Sequence, residues 1–455
     1  MPNTNSERVR GFLSSVCENH AQYNYIDPEN YASPNVKRGL RNADGTGVLA
    51  GFTRIGSVQG FVVQDGVRVP MDGRLIYRGI DIVDLIEGFM SEERFGFEET
   101  CYLLLFGYLP SAAQLAEFRD VLEEMHVLPD GFSEDMILKA PSPNVMNKLA
   151  RCILALYSYD DNPESMDLFS LMRQSVGLIA RVPVIVAHAY AVKRHYYDRQ
   201  SLVWHYPAEG LSISENFLRS MRPDGRFTKE EAHLLDICMV LHAEHGGGNN
   251  SAFACRVLTS SGTDTYSALS AAVGSLKGPK HGGANAKVME MYYEIRDNVK
   301  DWKDDDEVSA YLTRIIRKEA GDRSGLIYGM GHAVYTLSDP RAILLKKYAK
   351  QLAAKRGMLD EILLMESIER LTPSVFASIK GDSKVISANV DMYVGLVYQM
   401  LGIPQELCTP IFAIARTVGW CAHRIEEVLT GGRIIRPAYR SVTGAAPYVP
   451  LSERG

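Results

Sequence analysis

The strongest constraint on the fold of this chain is the spacing of its apolar residues, which is helical over most of its length. In the part of the chain after Tyr77, the residue types Leu, Ala, Met and Glu recur at helical spacing between short Gly or Pro breaks. A parallel sheet needs strands that alternate with helices, and the sequence lacks this alternation. We therefore expect a mainly α fold, divided into two or three lobes because 455 residues exceed the usual size of one domain.

Strand signals are confined to one stretch near the N-terminus. Phe61–Val63 and Val67–Val69 flank Asp65-Gly66, a dipeptide typical of tight hairpin turns. A third short apolar run follows at Leu75–Tyr77. These runs predict a small hairpin or meander.

Composition narrows the class of protein. The protein is 46% hydrophobic and 23% charged, which is ordinary for a globular protein. Its net charge of −6 does not indicate a basic face for nucleic acid. The seven cysteines are scattered and form no C-x-x-C pair, which favours a reducing compartment over disulfides or a thiolate zinc site. They are Cys17, Cys101, Cys152, Cys238, Cys255, Cys408 and Cys421.

Targeting and membrane signals are weak. The N-terminal MPNTNSERVRGFLSS has no apolar core of the kind a secretory signal needs. The longest apolar run, Val176–Val192, is interrupted by Arg181, Pro183 and His188. We expect a cytoplasmic protein.

One predicted helix carries a histidine to its end. Thr228 and Glu231 form a capping box, and an apolar stripe that starts at Leu234 continues along one face to His245. The glycines Gly246–Gly248 then predict the end of this helix.

A second predicted helix begins at Asp339-Pro340 and runs to Gly357, with a cap residue followed by proline at the first helical position. Arg341 lies in its first turn. A cation there opposes the helix dipole, so a nearby anion explains it better than helix stability does.

A third predicted helix, which starts at Thr409-Pro410, is nearly apolar all round in its first turns, so we expect Arg416 to be buried. An unpaired buried guanidinium is costly. The sequence therefore predicts that a carboxylate, from the protein or from a ligand, meets Arg416.

Four short segments bring together the side chains that carry chemistry. They are HAEHGGGN, GPKHGGAN, GMGHAVYTLSDPRA and NVDMY, which contain His245, His281, His332 and Asp391. A single histidine at a helix end is more often a core or capping residue. All four, however, lie beside glycines or at element boundaries, where backbone can approach a ligand closely.

These segments, with GLRNADGTG, GRLIYRGIDI, FAIARTVGWCAH and RIIRP, resemble citrate synthases in order and spacing from Gly39 to Arg436. The resemblance implies a mainly helical, two-domain homodimer. Its large domain would comprise residues 1–281 and 392–455, and a small mobile domain, 282–391, would close over the active site. The substrates would be oxaloacetate and an acyl-CoA thioester, with no separate cofactor, metal, nucleic acid or membrane partner.

The resemblance also assigns roles at the reacting carbon. Asp391 would remove a proton from the methyl group of acetyl-CoA, while His281 hydrogen-bonds the thioester oxygen as the enol forms. His332 would polarise the oxaloacetate ketone. His281 should be neutral, which a position near a helix N-terminus favours.

By the same likeness, His245, Arg341, Arg416 and Arg436 would hold the carboxylates of oxaloacetate and citrate through charge-assisted contacts. In this family the arginine at the position of Arg436 comes from the other subunit, so dimerisation would complete the site.

For CoA the family uses a glycine-containing loop, here Leu326 to Gly331 and including Gly329. A basic residue that often binds CoA phosphates is replaced by Thr336, and Lys384 is the replacement candidate. A solvated surface role for Lys384 is equally compatible with the sequence.

Four alternatives remain to be weighed. A 2-methylcitrate synthase would use propionyl-CoA by the same mechanism, and one methylene changes affinity by only about 1–3 kcal/mol. A metal hydrolase could use His242 and His245, but H-A-E-H departs from H-E-x-x-H. Gly45-Thr46-Gly47 fits a dinucleotide fingerprint but lacks the preceding apolar strand, which favours a turn. A non-catalytic relative should lack the base or an anion-binding arginine, and this chain has both.

Overall fold

The structure, a computed structural model, describes residues 7–64, 67–332, 334–381 and 386–454. As predicted, it is mainly α. The first eight helices are α1 (Glu7–Asn24), α2 (Ile82–Ser91), α3 (Phe97–Phe106), α4 (Ala112–Met125), α5 (Val145–Ala155), α6 (Leu168–Tyr197), α7 (Ile213–Met221) and α8 (Lys229–His242). They are followed by α9 (Asn250–Thr259), α10 (Thr265–Lys277), α11 (Ala284–Asn298), α12 (Asp305–Ile316), α13 (Pro340–Arg356), α14 (Leu359–Lys380), α15 (Asp391–Met400) and α16 (Cys408–Leu429).

Contacts along the chain separate two compact units. The smaller comprises Met1–Phe52 and Arg436–Gly455, and the larger comprises Thr53–Ile435. In the smaller unit, the Gly45 segment forms the expected turn, because the Asn42 amide donates to Thr46 O at 2.8 Å and Gly45 has a φ of +82°. The predicted boundaries after residues 281 and 391 lie within the larger unit and stay predictions.

Three antiparallel strands form the sheet in the order β1 (Gly56–Gln64), β2 (Val67–Tyr77) and β3 (Ile80–Asp81). The meander is confirmed, but its third strand is not the predicted one, because Leu75–Tyr77 is the end of the long strand β2. Strand β1 pairs with both apolar runs of β2, and the register shifts between Gln59 and Phe61, opposite the polar break that separates these runs. The predicted turn dipeptide lies outside the described residues.

This sheet supports the segment that follows His332. The Gly73 amide donates to Ser338 O at 3.1 Å, and the Thr336 hydroxyl donates to Gly60 O at 2.7 Å. A Cβ at Gly60 would lie 2.3 Å from Val334 O, and one at Gly73 would lie 2.1 Å from Ser338 O. The two glycines therefore permit a backbone approach that a side chain would block.

The long helix α6 passes through the core. An 18-residue window has a mean hydropathy of 1.6, apolar enough to cross a membrane, but 89% of it is buried inside the protein. This burial is typical of the central helix of a globular unit. Helix α16 packs against α6 and also contacts α3, α8, α9 and α10.

Candidate active site

A cavity of about 170 Å³ in the larger unit gathers most of the predicted functional side chains. It is lined by residues from the end of α8, the segment before α11, the starts of α13 and α15, and α16. Six of the seven residues predicted for catalysis and keto-acid binding line it, namely His245, His281, His332, Arg341, Asp391 and Arg416. The seventh, Arg436, belongs to the smaller unit and is exposed there.

His245 reaches the cavity from a turn rather than from a helix end. The predicted capping box of α8 is present, but α8 ends at His242, three residues earlier than expected. The cause is Tyr77, whose hydroxyl accepts the Glu244 amide at 3.2 Å and donates to Val240 O at 3.0 Å. The phenol thus replaces the next helical hydrogen bond and turns the chain toward the cavity.

The hydrogen bonds of His332 define its tautomer. Its Nδ1 accepts the backbone amides of Val334 and Tyr335, both at 3.0 Å. A ring nitrogen that accepts carries no proton, so Nε2 carries the proton of the neutral imidazole. Burial, followed by the charge of Arg341, lowers the pKa of His332 to about 4. His332 is therefore a neutral donor at pH 7.

His281 lies just before α11 and contacts Ser251, whose Oγ is 3.1 Å from His281 Nε2. The same hydroxyl oxygen lies 2.9 Å from Asn249 Oδ1 and accepts the Trp420 indole N–H at 3.1 Å. Its single hydrogen can go to Asn249 or to His281, and the second choice leaves the His281 proton on Nδ1. Burial, followed by Arg416, lowers the pKa of His281 to about 4, so this imidazole is also neutral.

Asp391 is the first residue of α15. Desolvation raises the pKa of its carboxyl to about 6, and this effect outweighs the opposing charge of Arg341. A carboxylate with a pKa close to the working pH is suited to accept a proton from a weak acid. Sequence alone predicted the residue but not this property.

The segments that carry His332 and Asp391 are hydrogen-bonded to each other. Gly331 N donates to Ser387 O at 2.7 Å, and Asn389 N donates to Gly329 O at 2.8 Å. A Cβ at Gly329 would lie 2.8 Å from Met392 Sδ, so glycine permits this close contact. The glycine loop therefore fixes the imidazole relative to the carboxylate.

Arg341 has a protein anion beside it, as its position in the first turn of α13 suggested. Asp339, the N-cap of α13, accepts Arg341 Nε at 3.0 Å and Nη2 at 2.8 Å. Asp339 also accepts the Val390 amide at 3.2 Å. The predicted helix bounds are confirmed, and Asp339 connects Arg341 to the residue before Asp391.

Arg416 is 1% exposed, and both terminal nitrogens of its guanidinium lack a hydrogen-bond partner. Its Nε donates to His242 O, and its Cζ lies 4.6 Å from the centre of the Phe412 ring. Burial lowers the pKa of Arg416 to about 10, which still leaves it charged at neutral pH. A buried cation with two free donor groups is suited to bind an anion.

Several residues that sequence reasoning did not assign also line the cavity. The ring centre of His242 lies 4.4 Å from that of Phe412, with the two planes tilted by 36°, and Asn285 has a buried amide without partners on either atom. The phenol of Tyr398 is buried and unpartnered as well. The spacing of His242 and His245 was a usable signal, whereas Asn285 and Tyr398 gave none.

The hydrogen bonds of the Glu244 side chain do not favour the metal-site alternative. Its Oε1 lies 2.9 Å from His423 Nε2 and also accepts the Gly246 amide. Within the described residues, no group of three or more His, Cys, Asp or Glu side chains is arranged to hold a metal ion.

The CoA-binding role of the residues in and near the glycine-containing loop stays a prediction. Leu326 is 56% exposed, and Gly329 and Gly331 adopt positive φ values. Lys384 lies outside the described residues. Thr336 hydrogen-bonds strand β1, which gives this departure from the family pattern a structural role.

Comparison with known proteins decides the family. The sequence profile described as "Citrate synthase, C-terminal domain" matches residues 44–438. The chain belongs to the citrate synthase family. Citrate synthase from Synechocystis is 33% identical over 412 residues, which cover 90% of this chain and 92% of the relative. A 2-methylcitrate synthase 1 from Corynebacterium glutamicum is 31% identical over a match that covers 92% of this chain and 98% of the relative.

Solved structures of the citrate synthase family share the fold. The enzyme from Pyrobaculum aerophilum matches with a TM-score of 0.74 and 27% identity, covering 92% of this chain and 95% of that one. A ternary complex of carboxymethyl coenzyme A and oxaloacetate with the Thermoplasma acidophilum citrate synthase matches with a TM-score of 0.74 and 26% identity. It covers 93% of this chain and 100% of that one.

Proposed function

We propose that this protein is a citrate synthase that condenses acetyl-CoA with oxaloacetate and hydrolyses citryl-CoA to citrate and CoA. The observation that carries the proposal is one cavity with an unpartnered buried guanidinium on Arg416 and a carboxylate of raised pKa on Asp391. A dianionic keto acid satisfies the first group, and a carbon acid suits the second.

Oxaloacetate binds through its carboxylates. The two free nitrogens of Arg416 can make a bidentate contact, and Arg341, already oriented by Asp339, supplies a second positive charge. The unpartnered Nε2 of His245 lies buried in the same cavity and can join them. These contacts replace the hydration that the carboxylates lose when they enter the cavity.

The ketone is activated by His332. Its Nε2–H donates to the ketone oxygen, and the two backbone amides on Nδ1 hold the ring in this tautomer. As the new carbon–carbon bond forms, negative charge develops on this oxygen, which becomes the citryl hydroxyl by taking up one proton and so balances the proton that Asp391 removes from the methyl group.

The acyl group is activated by Asp391 and His281. Asp391 takes a proton from the acetyl methyl group, and the electron pair moves into the thioester, whose oxygen accepts a hydrogen bond from His281. This role requires a proton on His281 Nδ1, so the Ser251 hydroxyl donates to Nε2. The enol carbon then attacks the ketone carbon of oxaloacetate. Water subsequently attacks the citryl thioester and releases CoA as its thiol.

The proposal includes closure of residues 282–391 over the bound keto acid and a homodimer in which Arg436 reaches the site of the other subunit. His281 and Asp391 stand beside the two predicted junctions, where the small domain would meet the large one. Both features rest on the family resemblance, and mixing two inactive variants tests whether Arg436 is shared between subunits.

A 2-methylcitrate synthase is the second candidate, because relatives of both names match over most of the chain at similar identity. The deciding experiment follows CoA thiol release with oxaloacetate and either acetyl-CoA or propionyl-CoA. We expect a higher kcat/KM for acetyl-CoA. A higher value for propionyl-CoA would establish the second candidate, and no thiol release with either would overturn the proposal.

A further inference from the structure

A second and larger cavity, of about 460 Å³, lies between α3, α4, α6 and α7. It shares none of its lining residues with the catalytic cavity. Its volume falls within the range of small-molecule sites. Phe95, Leu122, Val184 and Phe217 provide apolar walls, so the cavity is suited to a ligand with an apolar body.

Two polar side chains of the lining have a buried atom without a hydrogen-bond partner, Glu98 and the less buried Arg119. Glu98 on α3 is 2% exposed; its Oε1 accepts the Ile213 amide at 2.7 Å, and its Oε2 has no hydrogen-bond partner. A buried carboxylate oxygen without a donor is costly, because it has lost its hydration and gained no hydrogen bond in exchange. The protein holds this oxygen in place rather than turning it to solvent.

A second buried carboxyl, that of Asp236, lies close to Glu98. Asp236 accepts the amides of Gly96 at 2.7 Å and Phe97 at 3.2 Å, and Ser214 Oγ donates to its other oxygen at 3.3 Å. Burial, followed by the charge of Glu98, raises the pKa of Asp236 well above its ordinary value. A second negative charge beside Glu98 is therefore costly, and a bound cation would lower that cost.

The rim of the cavity is acidic too. Asp120, Glu123 and Glu215 line it together with Arg119, and burial lowers the pKa of the remaining basic group, His126. Glu123 accepts the Gly210 amide at 3.0 Å, and Glu215 accepts the Ser212 amide at 2.8 Å. Acidic side chains thus outnumber basic ones, and the buried Glu98 Oε2 is free to accept a hydrogen bond.

We infer that this cavity binds an organic ammonium ion whose N–H donates to Glu98 Oε2 and whose apolar body packs between Phe95, Leu122 and Phe217. An ammonium supplies both the missing donor and the compensating charge, whereas an alcohol supplies only the donor and a carboxylate supplies neither.

Isothermal titration calorimetry with phenethylammonium, phenethyl alcohol and phenylpropionate tests the inference on the full-length protein at pH 7.5. We expect saturable binding of the ammonium, with the alcohol weaker by roughly tenfold or more and the carboxylate weaker still. Equal binding of alcohol and ammonium, or no binding of the ammonium at millimolar concentration, would overturn it.

Three variants locate the site. Glu98→Gln keeps the acceptor for Ile213 and should weaken ammonium binding by roughly tenfold or more. Ala116→Trp, at an exposed lining position on α4, should fill the cavity and abolish binding without loss of thermal stability. The matched control Asp120→Asn removes an exposed charge at the rim and should change binding by no more than roughly twofold.

Citrate formation should be unchanged in all three variants, because none of these residues lines the catalytic cavity. If Glu98→Gln does not fold, the Ala116→Trp result decides: undiminished ammonium binding in that variant would place the ligand elsewhere and contradict the inference.

Discussion

Helix α16 carries two buried arginines, Arg416 and Arg424, about two turns apart, whose guanidinium groups differ in their hydrogen bonding. Arg424 Nε donates to Thr265 Oγ1 at 2.9 Å, Nη1 donates to Thr259 Oγ1 at 3.1 Å, and Nη2 donates to Thr263 O at 2.8 Å. Both terminal nitrogens of Arg416 have no partner. Both side chains are 1% exposed, so burial does not distinguish them.

The difference separates a structural residue from a binding residue. A buried cation whose donors are all satisfied contributes to the fold, and its loss leaves acceptors unpaired. A buried cation with free donors costs stability until a ligand arrives, and this arrangement is typical of functional sites. The surroundings agree, since Arg424 faces threonines of the core, whereas Arg416 shares its cavity with Asp391 and four histidines of lowered pKa.

The largest effect is expected at Asp391, on the binding side of this comparison. Asp391→Asn removes the base, so kcat should fall by roughly 10²–10⁴-fold, while the affinity for oxaloacetate is largely kept. Because the folded protein raises the pKa of this carboxyl to about 6, the ionised form destabilises the fold at neutral pH. The melting temperature of the variant should therefore rise. Wild-type turnover would remove Asp391 from the mechanism.

Arg424→Leu tests the structural side. It leaves the hydroxyls of Thr259 and Thr265 and the carbonyl of Thr263 without their donors, so the free energy of unfolding should fall by about 2–4 kcal/mol. Urea denaturation measures this change. The KM for oxaloacetate, measured on the folded fraction, should stay within about twofold of the wild-type value. A variant that is stable but binds oxaloacetate poorly would break the comparison.

The pH dependence of catalysis is the next smaller effect. The reaction needs Asp391 ionised, so kcat/KM should fall about tenfold per pH unit below a pH of about 6. The profile should stay flat from pH 6.5 to 8, because His281 and His332, with pKa values of about 4, keep the same neutral form over that range. An additional protonation near pH 7 that lowers activity would contradict these pKa assignments.

The free energy of unfolding should depend on pH through the two histidines and through Asp391, and these contributions should have opposite signs. The folded pKa of His281 and His332 is about 4, below the ordinary 6.5, so their contribution to stability is complete above pH 6.5 and is lost as pH falls toward 4. The contribution of Asp391 has the opposite sign, because its folded pKa is raised. Urea denaturation should give a lower free energy of unfolding at pH 5 than at pH 7, and this loss should be larger in Asp391→Asn.

Local sequence signals located the helices that carry the site with good accuracy. The cap at Asp339, the proline after it and Gly357 define α13 because each acts on its own backbone neighbours. The capping box of α8 succeeded for the same reason. The clustering of His245, His281, His332 and Asp391 followed from the family resemblance and from their positions beside glycines.

Contacts between distant residues explain what the sequence could not predict. The end of α8 depends on Tyr77, which lies 163 residues from Val240 in the chain. The continuity of β2 depends on its pairing with β1 rather than on its own composition. The same limit applies to Glu98, because its surroundings are formed by α7 and α8, which are distant from it in the chain.

The most direct test of the account is the binding of oxaloacetate to Arg416→Leu, measured by isothermal titration calorimetry beside the wild type and Arg424→Leu. The account predicts that affinity falls roughly 10²–10³-fold in Arg416→Leu while the free enzyme keeps or gains stability, and that Arg424→Leu binds like the wild type. Unchanged oxaloacetate affinity in Arg416→Leu would contradict the claim that this unpartnered guanidinium is the anion site of the enzyme.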